Sequence, residues 1–214
     1  MEKAVNNNVI IKPADANELN IIAAMHIDPD ITKITEIINS NTGLYRFYRD
    51  KIKLFFDSEP QGVLVAKEKD LVLGFIIVSS SGKNPIGGIN LLRIFLKGLL
   101  IYYGLSKKVF GKMLSSVYAK FIQKIKPPAK TPVLIDIKIW AFIVMKSTRN
   151  QDIGFNLVKT SFEYAQNKGA KTMGVTVAQN NSNALALYKK AGFSITGTCA
   201  ESTGPSYYLT KELI

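Results

Sequence analysis

Two stretches near the C-terminus carry residues whose types and spacing could do chemistry. The first is "STRNQDIGFNLV", Ser147 to Val158. It follows an apolar run and leads into a helical pattern, with Gly154 where the helix should begin. Exposed amides at a helix N-terminus, together with the helix dipole, stabilise an anion such as a phosphate. Asp152 pulls the other way. It is an ordinary N-cap residue, and a carboxylate aimed at a phosphate would repel it. The turn is therefore either an anion site with Asp152 turned aside or simply a capped helix. The second stretch is "NNSNALALYKKAGF", in which Asn181, Ala184, Tyr188, Gly192 and Phe193 are spaced along one short helix that ends at a glycine.

Several elements must position these residues. "VLIDIKIWAFIV" alternates, with Val133, Ile135, Ile137, Ile139, Ala141 and Ile143 on one face and Asp136, Lys138, Trp140 and Phe142 on the other. That pattern predicts a long strand with one fully aliphatic side, running into the first turn. A helix to about Asn167 follows, then a strand in "AKTMGVTVA", the Tyr188 helix, and strands in "FSITGTCA" and "SYYLTKEL". Upstream, "NVIIKPA" is a short strand broken by Pro13, and Asp15 is placed to cap a helix through "ANELNIIAAMH". A second helix starts at Asp28 or Asp30, and "LYRFYRDKIKLFF" continues the helical pattern to about Phe56. "GVLVAKEKD" and "LVLGFIIVSS" form a hairpin. The order describes one α/β domain over residues 1–214.

The strand, turn and second stretch together resemble the acetyl-CoA signature of the GNAT superfamily of N-acyltransferases. In that family an Arg/Gln-x-x-Gly-x-Gly/Ala turn cradles the CoA pyrophosphate, and an Asn-x-x-Ala-x-x-x-Tyr helix ends in Gly-Phe. The second block matches at Asn181, Ala184, Tyr188, Gly192 and Phe193. The first matches at Arg149 and Gly154, with Asp152 for the first glycine and Lys146 where a proline is common. The resemblance implies a mixed, mostly antiparallel central sheet flanked by helices.

The resemblance also implies roles. Phe142 and Val144, at the end of the long strand, would splay from the neighbouring strand and offer backbone groups to pantetheine. Arg149, Asn150, Gln151, Asp152, Ile153, Gly154 and Phe155 would take the pyrophosphate. Asn181 would bind near pantetheine or fix its own loop. Tyr188 would lie near the CoA sulfur: a thiol has a pKa of about 8.5 and a phenol about 10, so the phenol is un-ionised beforehand and can give the leaving thiolate a proton, or at least a hydrogen bond. The implied reaction moves acetyl from acetyl-CoA to a primary amine by direct attack. Many family members place a carboxylate base where this chain has Lys138. Asp136 is the nearest carboxylate on that face, and a water chain is the alternative.

Composition narrows the rest. His26 and Cys199 are the only histidine and cysteine, so no Cys/His zinc site and no internal disulfide is expected, and a reducing compartment fits. The start, "MEKAVNNNVIIKP", shows no leader, which gives a cytoplasmic expectation. From Leu71 to Ile135 there are ten Lys and Arg and no acid, which accounts for most of the formal +12. This window holds a helical insert at about residues 84–128, more than the family needs. It is read either as helices packed over the acceptor side with solvated lysines, or as a basic amphipathic surface resting peripherally on the anionic inner membrane. Similar inserts in envelope-sugar acetyltransferases imply a small-molecule acceptor such as a nucleotide- or lipid-linked amino sugar. A protein amine is the alternative enzyme reading, and a degenerate, non-catalytic binding module is the alternative outside catalysis. Nucleic acid is not expected, because no aromatic stacking platform accompanies the lysines.

Overall fold

The computed structural model describes residues 3–6, 8–80, 135–149, 151–201 and 204–213. The insert expected at about 84–128, Asn150 and the first residues of the "VLIDIKIWAFIV" run lie outside them.

Strands β1 (Lys3–Asn6), β2 (Val9–Pro13), β3 (Val63–Glu68), β4 (Leu71–Ser80), β5 (Ile137–Val144), β6 (Thr172–Ala178), β7 (Ser194–Glu201) and β8 (Gly204–Glu212) form one sheet, in the order β1-β2-β3-β4-β5-β6-β8-β7. Every neighbouring pair is antiparallel except β5–β6. Helices α1 (Leu19–Ile27), α2 (Ile31–Ser40) and α3 (Gly43–Ser58) cover one face; α4 (Ile153–Asn167) and α5 (Ser182–Lys190) cover the other.

Local chemistry sets the helix starts. A single 3-10 turn at Ala16–Glu18 precedes α1, and there the Asp15 N–H donates to Glu18 Oε2 at 2.8 Å. Asp30, not Asp28, caps α2: its Oδ1 accepts the Thr32 N–H at 3.1 Å. Asp28 instead binds Lys33 and Lys146. The helical pattern read as continuing through residue 56 is in fact broken. Asn41 turns left-handed at φ 44°, and Thr42 Oγ1 accepts the Tyr45 N–H to start α3 afresh. Asparagine tolerates that conformation better than most residues, so it ends a helix as a glycine would.

The core lies in two layers, one on each side of the sheet. Between the sheet and α4–α5 pack Ile11, Leu64, Ile76, Ile137, Ile139, Val175 and Leu209 with Leu157 and Val158 of α4. Between the sheet and α1–α3 pack Val63, Val65, Phe75 and Ile77 with Ile22 and Met25 of α1 and Ile52 and Phe55 of α3. Each such side chain, fully buried, contributes roughly 1.5–3 kcal/mol.

The expected single aliphatic side of β5 is corrected by a bulge. Ile77 pairs with Ala141 and Val78 with Ile139, so Trp140 is an extra residue in the strand. The bulge shifts the alternation by one. Ile137 and Ile139 face α4 and α5, and so do Phe142 and Val144 beyond the bulge. Trp140, Ala141 and Ile143 pack on the α1–α3 side. The strand also begins at Ile137, with Ile135 and Asp136 preceding it.

Candidate cofactor and active site

The site begins where two parallel strands part. β5 and β6 are paired only through Ile137↔Met173, Lys138↔Gly174 and Ile139↔Val175. Beyond these, β5 stays with β4 as far as Val144↔Gly74, while β6 stays with β8 as far as Ala178↔Ser206. The sheet therefore opens as a V. The β5 edge facing the opening, from Trp140 to Val144, has no strand partner among the described residues. Such an edge offers main-chain donors and acceptors to an extended ligand.

The turn after β5 is held firmly. The Met145 N–H donates to Leu73 O at 2.8 Å, and the Lys146 N–H to Pro29 O at 3.0 Å. Lys146 Nζ reaches Asp28 Oδ1 at 2.8 Å. A 3-10 turn at Lys146–Thr148 then carries the chain to Arg149 and Gln151, both exposed. Asp152 adopts φ 54°, ψ 5°, and its side chain makes no capping hydrogen bond. Only its main-chain carbonyl is used, accepting the Asn156 N–H at 2.9 Å. The N–H groups of Ile153, Gly154 and Phe155 therefore have no acceptor among the described residues.

Asp152 is 70% exposed, with Oδ1 3.4 Å from Lys190 Nζ at the end of α5. Lys190 and Lys159 also lie over the Phe155 ring, at 4.7 and 4.9 Å from its centre. Gly154 allows the close seating of α4 on β5. A Cβ there would stand 3.0 Å from the Phe142 ring and 3.4 Å from Val144.

Tyr188 sits on the α4–α5 side of the opening. Its ring meets Phe193 edge-on at 5.3 Å and Phe142 at 6.2 Å, and only 3% of the residue is exposed. Burial pushes the phenol's pKa far upward, so it keeps its proton at any physiological pH. Phe193 is fixed by its own N–H, which donates to Tyr188 O at 2.9 Å, and Gly192 makes the turn at φ 89°. Asn181 Oδ1 accepts the Ala184 N–H at 3.1 Å and so caps α5. Of the two roles open for Asn181, the geometry here is that of fixing its loop.

Asp136 stands at the other end of β5, about 20 Å along the strand from Phe142. Its Oδ2 accepts from Lys171 N, Thr172 N and Thr172 Oγ1, at 2.8, 3.0 and 3.1 Å. These donors, the Lys171 amide first, hold its pKa below the usual carboxylate range. Asp136 thus clips the start of β6 to the start of β5. His26 packs between Tyr48 and Phe75 with Nδ1 buried and unpartnered among the described residues, and burial lowers its pKa to about 4.

Sequence reasoning missed two contributors. Lys190 was visible only as a lysine near a helix end. Gly74 of β4 lies against Ile143 O, Leu157 and Val144, each 3.1–3.3 Å from where its Cβ would be. A glycine inside a strand was its one signal.

Known proteins agree with this geometry. Residues 128–193 match the Acetyltransferase (GNAT) family. No curated protein sequence matches the chain. Ard1 from Thermoplasma volcanium superposes with a TM-score of 0.59 at 13% identity, covering 97% of this chain and 99% of its own. An N-acetyltransferase from Staphylococcus aureus Mu50 gives 0.56 at 19% identity, covering 94% and 99%. The NatC complex bound to Gag peptide and CoA gives 0.56 at 14% identity, covering 97% and 99%. The fold is shared with these structures, and the matched segment resembles that of an acetyltransferase. In particular, residues 128–193 are similar to the GNAT family of acetyltransferases.

Among the described residues no cluster of His, Cys, Asp and Glu could hold a metal ion, and no helix is long and apolar enough to cross a membrane.

Proposed function

We propose that this chain transfers acetyl from acetyl-CoA to a primary amine by direct attack. The observation that carries the reading is the V between β5 and β6, with amides at its mouth that are unengaged among the described residues and a buried phenol on its wall. The residues present fit the donor. The amides of Ile153, Gly154 and Phe155 and the side chain of Arg149 would take the pyrophosphate, with Gln151 in the same turn. The free β5 edge at Phe142 and Val144 would pair with the amide-bearing pantetheine arm.

In the transfer, the amine nitrogen bonds to the acetyl carbon and the carbon–sulfur bond breaks. Tyr188 gives its proton, or a hydrogen bond, to the departing thiolate. The acceptor's excess proton leaves through water, because Asp136 is spent on the β6 clip. No cysteine lies at the opening, so no covalent acyl-enzyme is invoked. Cys199 is in β7, away from β5 and β6 in the sheet order.

The acceptor we assign is an amine on a small molecule, with an amino sugar carrying a nucleotide or lipid as the leading class. Its support is the basic run between Leu71 and Ile135, which suits an anionic acceptor. The same run supports peripheral contact with anionic lipid.

The test is calorimetric titration with acetyl-CoA, with Gly154→Glu as control. Micromolar binding abolished by Gly154→Glu is expected; no binding at millimolar ligand sinks the reading. Turnover of an amino-sugar nucleotide would then be compared with that of a peptide α-amine. Preference for the peptide overturns the acceptor assignment alone.

A further inference from the structure

A hydroxyl on the far face of the sheet makes no hydrogen bond among the described residues. Met173, Val175 and Val177 of β6 lie in the layer beneath α4 and α5. Thr176, between them, faces the opposite side, the side of α1–α3. The last β5–β6 pair is Ile139↔Val175, so Thr176 is the first β6 residue past the point where the strands part. Its Oγ1 is buried and has no hydrogen-bond partner among the described residues. A buried unpaired hydroxyl is costly and uncommon in a native fold, so it calls for a reason.

Among the described side chains on this face, Thr176 carries the hydroxyl left unengaged at this point, beside the main-chain groups of the β5 edge. Across the opening, Trp140 is on the same face, but its indole N–H is given to Ser79 Oγ at 2.8 Å and its ring packs on Phe55 at 5.5 Å. On the other side Thr176 is paired with Tyr208 of β8. Tyr188 belongs to the opposite face. The two hydroxyls therefore flank the opening from opposite sides of the sheet.

We propose that Thr176 binds the acyl group, donating its O–H to the acetyl carbonyl oxygen of a thioester threaded through the β5–β6 opening. This rests on the acetyl-CoA reading above. A thioester passing through the V with its sulfur toward Tyr188 presents its acetyl group to the α1–α3 face, beside Thr176 and the Trp140 ring. The carbonyl oxygen gains negative charge as the amine attacks, so a donor fixed there favours the transition state over the ground state. Trp140 would form a wall against the acyl methyl.

The experiment titrates CoA and acetyl-CoA separately into wild type, Thr176→Val, Thr176→Ala and Thr176→Ser. The probe is the ratio of the two affinities. Thr176→Val and Thr176→Ala should each weaken acetyl-CoA about fivefold, the worth of one net hydrogen bond, and leave CoA unchanged. Thr176→Ser should keep the wild-type ratio. Thr176→Val should unfold no earlier than wild type, since a methyl replaces an unsatisfied hydroxyl. An unchanged ratio in the Val and Ala variants, or an equal loss for both ligands, overturns the role of Thr176. Wild type that binds CoA with such variants unaffected leaves the acetyl-CoA reading standing. Wild type that binds neither ligand overturns both.

Discussion

Asp152 and Lys190 meet outside the turn that leads into α4, carboxylate Oδ1 to ammonium Nζ at 3.4 Å. The pairing draws the Asp152 carboxylate toward the end of α5. The left-handed backbone at φ 54° directs the side chain into solvent, and the end of α5 supplies the opposite charge. An exposed pair of this kind adds little to stability. Its use is electrostatic: Lys190 neutralises Asp152 and stays close to the turn. Lys190→Ala should therefore weaken CoA binding, by about fivefold at low salt, with little change in melting temperature. Adding Asp152→Asn to Lys190→Ala should restore part of that loss. Titration of CoA into the two variants checks it, and a double variant no better than Lys190→Ala would remove Asp152 from the account.

Tyr188 carries the sharpest prediction on turnover. Its hydroxyl is protonated and its ring is clamped by Phe142 and Phe193. Tyr188→Phe keeps the packing and deletes the proton donor. The turnover number should fall at least about a hundredfold, the usual worth of a general acid, while CoA affinity holds. Because burial raises the phenol's pKa far above its ordinary value, the wild-type rate should show no loss from Tyr188 ionising up to about pH 10. Single-turnover rates and equilibrium binding on the same samples separate the two quantities.

How far the site was legible depended on whether its determinants were local. The Asn181 cap, Tyr188 and the Gly192-Phe193 stop sit on one helix with fixed offsets, so their spacing was readable. The bulge at Trp140 was not, because period-two alternation carries no mark of an extra residue unless a glycine stands there. That slip misassigned Ala141 and Ile143, which face α1–α3, and hid that Phe142 and Val144 face Gly154. Asp152 and Lys190 lie far apart in sequence and meet only because α5 returns alongside α4. Asp136 was legible as a carboxylate beside the long strand, which begins one residue after it. Its neighbours Lys171 and Thr172, which engage it, come from β6 and its approach and could not be placed beforehand.

His26 makes stability depend on pH. It lies against Tyr48, ring centres 4.4 Å apart, with burial first and the charge of Lys51 second lowering its pKa from 6.5 to about 4. The folded protein therefore keeps His26 neutral, while the unfolded chain takes up a proton below about pH 6.5. Between these values the unfolded state binds more protons, so stability rises with pH. The contribution is complete above about pH 6.5 and is lost as pH falls toward 4, about 3 kcal/mol in all and about 2 kcal/mol by pH 5. His26→Phe keeps an aromatic ring beside Tyr48 and removes the titrating group, along with the unpartnered Nδ1. Urea unfolding at pH 7.5 and pH 5 should show that difference shrink by about 2 kcal/mol in the variant. An undiminished difference would mean that carboxylates such as Asp28 and Asp136, whose pKa values are also lowered by their partners, carry the acid sensitivity instead.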